Sequence, residues 1–502
     1  MRKSLTVGLL VALALLAAQA IYLRDVTIDD VGISYRYARH LADGEGLTWN
    51  VGQPPVEGYS NLLWVLILAG ARRLGLDIDL TARVLGVLLG AATLVAFSLL
   101  LRRIARDAPA WCASLPLFLV ALNPAWVMWH LSGLEIGLYG FALVLTVLAL
   151  TGSDSRKRRL LAAGTIILIL TRPEGIALAP IPFILGWITD RHTQRRQRIY
   201  TYGIPLAAVL TVAAALVAFR LIYYGYPLPN TVYAKFSTRF PSARPVGEWF
   251  VYATPFWLAW LYAARRWTTL SEKSAFGTAI IMVGAQTLLV LPVNPVMNFL
   301  HRYLIAFLPL VAVPIPLALT ALGRRWRWAP AAAAAALVVW SWQQWPGVVR
   351  NCDAQRYMYR RQQCVAALLL SLPGAPRIAL GDAGRIPYWT NLPAVDVWGL
   401  CEPQIAHEGF SSGAILRGAP TLTDIYIAPL RTRGDTLQAM FGYDKIVLLQ
   451  PYFQENFRLW SLCAGEPEER RASSNRFWYL DYGIYMRTDF AERHGIPLAA
   501  GS

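Results

Sequence analysis

The chain has 502 residues, 56% of them apolar and 15% charged, against roughly 45–50% and 25% in an ordinary soluble domain, so water is not its only solvent. Its 47 Lys and Arg against 30 Asp and Glu give a net charge of +17, which suggests a nucleic-acid partner until positions are counted: 31 basic and 15 acidic residues precede Pro346, and 16 and 15 lie from there on. The excess therefore sits in the apolar part, with no polar basic module to hold nucleic acid, and the same composition excludes a disordered chain, a collagen or a small disulfide scaffold.

Windows of about 20 apolar residues, enough to cross a bilayer, recur through the first 345 positions. The first follows Met1-Arg2-Lys3 and has the outline of a signal peptide. It leads into Ile21-Tyr22-Leu23-Arg24 without a small-residue cleavage pattern, so a retained span is expected. Spans are read at 5–22, 82–101, 112–130, 133–151, 199–221, 248–264, 275–292, 303–322 and 329–345. The stretch 160–189, broken by Thr171-Arg172-Pro173-Glu174-Gly175, reads as two short spans meeting at a polar turn, which makes eleven crossings.

Alternate short loops hold 19 of the 31 basic residues of this part, including Arg156 to Arg159 and Arg324, Arg325 and Arg327. The positive-inside bias makes those loops cytoplasmic. Residues 23–81, the Trp129 to Leu134 turn, the 222–247 and 293–302 loops and everything after 346 then lie on the outer side of the cytoplasmic membrane. Topology and anionic headgroups account for the charge, so membrane lipids are expected partners and nucleic acid is not.

From 346 to 502 the composition turns ordinary. Arg377-Ile378-Ala379-Leu380 and Lys445-Ile446-Val447-Leu448-Leu449 read as short strands among helical patterns, predicting a mixed α/β domain on the outer face. The fold class is thus a polytopic α-helical membrane protein: a transmembrane catalytic domain, 1–345, and an extracytoplasmic domain, 346–502. Cys352, Cys364, Cys401 and Cys463 fall in the latter, where disulfides are permitted. Cys352–Cys364 with Cys401–Cys463 is the expected pairing, and four free buried thiols the alternative. Cys112 reads as packing.

The chemistry is concentrated in the first outer loop. Asp29 and Asp30 are neighbours just past the first span. Adjacent acids raise each other's proton affinity, which suits one of them to general-base work near neutral pH, although a solvated helix cap gives the same pattern. Arg36 and Arg39 share one face of a helix expected over Ile33 to Leu41. Two guanidiniums beside two carboxylates are the parts needed to bind a lipid-linked phosphate and deprotonate an acceptor; a surface salt-bridge pair is the plainer account. Glu57, Tyr59 and Asn61 precede an amphipathic helix, Leu62 to Ala69, read as lying along the interface. Glu135 follows His130-Leu131-Ser132-Gly133-Leu134 at the lip of the bundle. Arg172 and Glu174 sit in an apolar stretch, where ionisable groups are costly unless paired. Lys235 and Arg302 lie on the same outer side, and His301 reads as an interface residue. Paired metal-ligating His or Cys, a phosphate-binding loop and a nucleophile elbow are lacking.

The run Asp29 to Trp64, with Ser132 to Gly140 (SGLEIGLYG), Thr171 to Gly175 (TRPEG), Pro227 to Lys235 (PLPNTVYAK), His301 to Pro309 (HRYLIAFLP) and Gly381 to Leu400 (GDAGRIPYW…DVWGL), resembles the GT-C class of bacterial membrane glycosyltransferases, nearest to the cell-wall arabinofuranosyltransferases that use decaprenyl-phosphate arabinose. Val31-Gly32 stands where a small residue plus an aromatic is usual. The resemblance implies a polyprenyl-phosphate-sugar donor and transfer to a hydroxyl of a glycan, lipid or protein acceptor. It implies Asp29 or Asp30 as the base, with Arg36, Arg39, Lys235 and Arg302 on the donor phosphate. It further implies Glu57, Tyr59 and Asn61 on the acceptor side, Arg172 with Glu174 shaping a lipid groove, and Asp382 and Arg385 closing over the site. Some members of the class use a divalent cation, which an aspartate pair could share with the phosphate; the evident acids are too few to assign its ligands. The competing readings are transfer of another sugar to lipid A or a pilin, and a transporter or flippase for a polyprenyl-linked sugar, which would need the arginines but has little use for a large outer domain and shows no matching inverted halves here.

Overall fold

The computed structural model describes residues 2–152, 154–236, 243–263, 270–293, 295–408, 423–433, 436–466 and 480–498. The opening apolar run forms helix α1 (Arg2–Tyr22), which has no polar face. The chain turns over and enters α2 (Val31–Asp43), where apolar and polar residues separate onto opposite faces. Gly44, left-handed at φ 92°, ends it, its N–H reaching the His40 and Leu41 carbonyls. Helix α3 (Leu62–Arg73) buries Trp64, Val65 and Leu68 and packs on α2. Helix α4 (Ile78–Ile104) starts where the Asp77 carboxylate accepts the Leu80 N–H at 2.7 Å and ends at Arg102 and Arg103, so each end carries the charge that its backbone dipole favours.

Among the described residues four helices are long and apolar enough to cross a membrane: Leu5–Tyr22, Ile78–Ile104, Arg195–Tyr224 and Lys273–Val290, or six if two bent pairs each count as one span. By length and composition these are fewer than the eleven crossings expected from hydropathy, because several expected spans are bent pairs or shorter helices. The expected span 112–130 is Ala110–Leu122 and Pro124–Leu131, bent by 55°. Asn123 makes the break: its side chain accepts the Trp126 N–H at 3.0 Å, capping a new helix that begins at Pro124. The 303–322 window likewise straddles a pair, Asn298–Ala312 and Ile315–Arg325, bent by 46°. The window 133–151 narrows to Ile136–Leu150, 248–264 divides into Arg244–Tyr252 and Thr254–Ala263, and 329–345 shrinks to Ala329–Trp342. The stretch 160–189 does turn at Arg172 to Glu174, between Asp154–Thr171 and the shorter Gly175–Leu178 and Ile181–Thr189. A hydropathy window sums residues whatever direction the chain takes, so it cannot separate one helix from two joined at an Asn or a Pro.

A long helix, Trp345–Leu370, leads into the second part. There, among the described residues, six strands form one mixed sheet: β1 (Ile378–Leu380), β2 (Ala394–Asp396), β3 (Ile425–Arg433), β4 (Thr436–Ala439), β5 (Phe457–Cys463) and β6 (Asp481–Arg487), in the order β2-β1-β3-β6-β5 with β4 against β3. Strand β1 is parallel to β2 and β3, and the rest are antiparallel. The predicted strand at 377–380 is β1. The one at 445–449 is instead part of a helix, Gly442–Leu448, which buries Val447 and leaves Ile446 and Leu449 exposed. A short unbroken apolar run has no period by which to tell the two apart.

The disulfide is Cys364–Cys463, with Cα atoms 5.9 Å apart, and Cys112, Cys352 and Cys401 are free and buried. Both expected pairings are therefore wrong. Cys352 and Cys364 lie on the same helix, twelve residues and about 18 Å apart along its axis, beyond any disulfide. Cys401 packs at Gly58, where a Cβ would meet its sulfur at 2.4 Å. The observed bridge ties the long helix to β5 across 99 residues of chain. Non-reducing peptide mapping should recover Cys364 joined to Cys463. Cys463→Ser should lower stability by about 2–4 kcal/mol, read as a fall in melting temperature that Cys352→Ser does not reproduce.

Candidate active site

The first loop and the second domain meet over a cleft whose walls carry three carboxylates, Asp29, Asp30 and Asp382, together with Gln355, Trp398 and Phe441. The contact depends on missing side chains. A Cβ on Gly32 would lie 2.2 Å from the Gly384 carbonyl carbon, and one on Gly384 would lie 1.9 Å from the Asp29 carbonyl oxygen. Through this close approach Asp29 accepts N–H groups from Gly384 (3.1 Å), Arg385 (3.0 Å) and the Gln362 side chain (2.9 Å). Burial raises its proton affinity, with the Arg385 charge opposing. Gln362 also donates to the Tyr482 hydroxyl (3.1 Å) and accepts from Arg385 (3.0 Å), and Tyr482 donates to Asp382 (2.5 Å). Asp382, on the loop that follows β1, is pushed up to about 7 by burial and then by the negative charge of Asp29.

Asp30 lies in different surroundings. Its carboxylate is hydrogen-bonded to Arg302. Burial would raise its proton affinity, but the charges of Arg302 and Lys235 outweigh that and hold it below the ordinary range. Arg302 is carried on a strained turn: Leu300 and His301 are left-handed, at φ 47° and 58°, a costly conformation for a branched side chain that persists only where the surroundings hold it. Trp129 supplies one restraint, its indole N–H donating to the Leu300 carbonyl at 3.0 Å. Three cations converge on the ring of Tyr303: Arg172 at 5.0 Å, Arg302 at 5.7 Å and Lys235 at 5.7 Å from its centroid. Arg172 is neutralised by Glu135 (2.6 Å) and Glu174 (3.0 Å), and Glu135 also accepts from Asn61 at 2.7 Å. Arg302 has a buried Nε without a partner. Among the described residues no carboxylate bonds to Lys235.

Other expected site residues stand elsewhere. Arg36 is fully buried with its guanidinium spent on the carbonyls of Trp49 (2.8 Å), Pro387 (2.5 Å) and Leu392 (2.9 Å) and the side chain of Asn50 (3.1 Å). Arg39 bonds to Asn391 at 2.6 Å. The two do share a helix face, but it faces the segment 387–392 rather than the acids, so their expected place on the donor phosphate is corrected. Glu57 forms a buried pair with Arg220 at 2.8 Å, and Tyr59 bonds to Tyr224 at 3.0 Å. Both belong to a structural anchor: the Glu57 carbonyl accepts the N–H of Asn230 at 3.0 Å, and Asn230 opens the helix Asn230–Phe236 that bears Lys235. His301 packs on Tyr252, ring centroids 4.3 Å apart. Sequence reasoning missed Arg220, Gln362, Tyr303 and Tyr482. Arg220 was detectable as a charge inside an apolar span, which must find a partner; Gln362 and Tyr482 carry no local signal.

Among the described residues no three His, Cys, Asp or Glu side chains are grouped to hold a metal ion. In the cleft, Asp29 accepts three N–H groups and Asp30 is paired with Arg302. A larger cavity, about 340 Å³, lies among Thr254–Ala263, Ile315–Arg325 and Ala329–Trp342, but its wall is apolar and shares no residue with the cleft.

A family described as a domain of unknown function (DUF8728) matches residues 353–477. No match is found among curated protein sequences. Among solved structures, ArnT from Cupriavidus metallidurans in the apo state is similar over 94% of this chain and 97% of its own, with TM-score 0.55 and 13% identity. The same protein bound to undecaprenyl phosphate matches at 0.55 and 12%, over 95% of this chain and 97% of its own. The oligosaccharyltransferase AglB from Archaeoglobus fulgidus, in complex with an inhibitory peptide and a dolichol-phosphate, matches at 0.54 and 11%, over 93% and 81%. The chain therefore has the GT-C fold of membrane glycosyltransferases: a polytopic helical part with a C-terminal mixed α/β domain.

Arg172 is the group whose removal should be felt most in stability, because it leaves Glu135 buried without its counter-ion. Arg172→Met should cost about 3–5 kcal/mol, measured as a lower melting temperature in detergent. An unchanged melting temperature would show that the cluster does not form.

Proposed function

We propose that the protein is a membrane glycosyltransferase that takes a sugar from a polyprenyl phosphate and places it on a hydroxyl of a cell-envelope glycan, lipid or protein. The observation that carries the reading is the cation group on Tyr303, where, among the described residues, Arg302 keeps a buried, unpartnered Nε and Lys235 lacks a bonded carboxylate, beside a cleft lined by three acids. Such a site suits an anion at one end and a proton acceptor at the other. A matching fold binds undecaprenyl phosphate in the Cupriavidus protein, which supports a lipid phosphate as that anion. The Lys/Arg bias of the loops supports a cleft and C-terminal domain on the outer face of the cytoplasmic membrane. The first-loop resemblance makes arabinofuranose the sugar to test first.

In this reading the donor is already activated. Arg302 and Lys235 neutralise the phosphate as charge builds on it during departure, inside a site where water screens little and each charge counts for several times its value in bulk solvent. Asp30 keeps Arg302 aimed and charged. Asp29 holds the first loop to the second domain, so that the acceptor hydroxyl is presented in line with the anomeric carbon. A carboxylate of the cleft takes the acceptor's proton. No nucleotide is required.

The test uses purified protein in detergent, titrated with undecaprenyl phosphate by calorimetry and supplied with a panel of polyprenyl-phosphate sugars, decaprenyl-phosphate arabinose included. Wild type should bind the lipid phosphate and transfer one of the sugars. Arg302→Lys and the charge-balanced pair Asp30→Asn with Arg302→Ala should lower kcat about 10²–10³-fold while the protein stays folded. Wild-type protein that binds no lipid phosphate would overturn the reading.

A further inference from the structure

We infer that Gln362, set in place by the Cys364–Cys463 bridge beside it, positions the acid pair of the first loop, so that transfer depends on the bridge being oxidised. The inference rests on the glycosyl-transfer reading of the cleft and adds to it a positioning residue and a redox dependence.

The long helix Trp345–Leu370 forms one wall of the cleft. Gln355 and Met358 line it, and Gln362 follows at the spacing that keeps all three on one helix face. Gln362 is fully buried, and three other segments meet on it. Its amide N–H groups reach Asp29 Oδ1 at 2.9 Å and the Tyr482 hydroxyl on β6 at 3.1 Å, and its carbonyl accepts from Arg385 at 3.0 Å. Turning the amide over would set its oxygen against a carboxylate and its N–H groups against a guanidinium, so the network admits one orientation. Among the described residues no other acceptor bonds to the Arg385 guanidinium, whose Nε and Nη2 are buried without partners. Gln362 thus aims a buried arginine and, through Oδ1, the acid next to Asp30.

The bridge fixes this helix from another side. Cys364 lies two residues beyond Gln362, about 200° further round the helix, and joins Cys463 on β5. In the sheet Cys463 stands directly opposite Tyr482, the residue to which Gln362 donates. A covalent tie and a hydrogen bond therefore run from two nearby positions of the helix to one cross-strand pair. Earlier on the helix, the Tyr357 hydroxyl donates to Asp481, next to Tyr482, at 2.6 Å. Held on two sides, the helix is kept from rolling about its axis, the motion that would carry Gln362 away from Asp29. Cys364 is half-buried, so a small thiol reaches the bridge from that side. Reduction by a dithiol breaks the S–S bond: the two sulfurs take up two electrons and two protons, and the dithiol closes to a cyclic disulfide. An oxidising outer compartment keeps such a bridge closed, which ties activity to the side of the membrane that the loop charges favour for the second domain.

The experiment uses the full-length protein in detergent with the polyprenyl-phosphate sugar that wild type transfers, before and after dithiothreitol, with thiol titration to count opened bridges. Cys112, Cys352 and Cys401 are already free, so the reductant has no other bond to break. Reduction of wild type should lower kcat about tenfold, leave the Kd for undecaprenyl phosphate within about threefold, and be reversed on reoxidation. Gln362→Met keeps the side-chain length and removes its hydrogen bonds, and should lower kcat about 10–100-fold. Reducing that variant should change kcat by less than about twofold, because the residue through which the bridge acts is gone. A bridge that only stabilises the fold would instead lower kcat and lipid binding together, and by the same factor in wild type and Gln362→Met. That result, or a wild-type kcat unmoved by complete reduction, sinks the inference while transfer by the oxidised protein leaves the functional reading standing. Should Gln362→Met not fold, the wild-type comparison of kcat with Kd decides alone. Oxidised wild type that neither binds lipid phosphate nor transfers sugar removes that reading, and the inference with it.

Discussion

Two glycines and one carboxylate hold the candidate site together. Gly32 and Gly384 let the start of α2 touch the loop after β1 at main-chain distance, and Asp29 closes the contact with three accepted hydrogen bonds. Hydrogen bonds to a charged group contribute about 1.5–3 kcal/mol each, so this contact outweighs most of the surrounding packing. The same surface is extended by Arg36, Asn50 and Trp49, whose side chains bond to the main chain between Pro387 and Ala394. The first loop and the second domain therefore behave as one body, and the cleft is a seam within it. Neither part alone presents the three acids to one another.

That seam explains how three aspartates of ordinary chemistry are given different tasks. One accepts backbone and amide donors, one is neutralised by an arginine, and one accepts from a tyrosine hydroxyl. Surroundings that differ in this way separate the proton affinities of neighbouring carboxyls of the same residue type. The Glu135–Arg172–Glu174 cluster follows the same logic at greater depth: two acids on one arginine leave a net negative group, which offsets the charge of Lys235 and Arg302 across the Tyr303 ring.

Much of this could be read from the chain before its fold was known, and the parts that could not share a cause. The apolar windows, the positive loops, the acid pair after the first span and β1 are all local signals, and each is present. Apart from the nearby bonds of Arg36 to Trp49 and Asn50, the partners of Arg36, Arg39 and Glu57 lie 163 to 356 residues away, and no spacing rule reaches that far. A buried arginine looks the same in sequence whether it awaits a phosphate or binds three carbonyls. Cysteine pairing failed for the opposite reason: Cys352 and Cys364 are near in sequence, and a helix carries them apart.

The broken spans are where local and long-range effects meet. A helix crossing hydrocarbon must satisfy its own backbone, so irregular main chain at that depth is tolerated only where protein or a cavity supplies partners. Asn123 caps one break, and the Trp129 indole binds the Leu300 carbonyl at the strained turn that opens Asn298–Ala312. Trp129 lies on Pro124–Leu131, the arm that the first break creates, and it also stacks under Arg302 at 5.6 Å. The bend at Asn123 therefore supports the strained turn at Leu300 and His301, which carries the arginine that Asp30 holds. A straight span at Asn123 would leave Leu300 without its donor, which is why an interruption that a hydropathy window does not see is also a feature that builds the site.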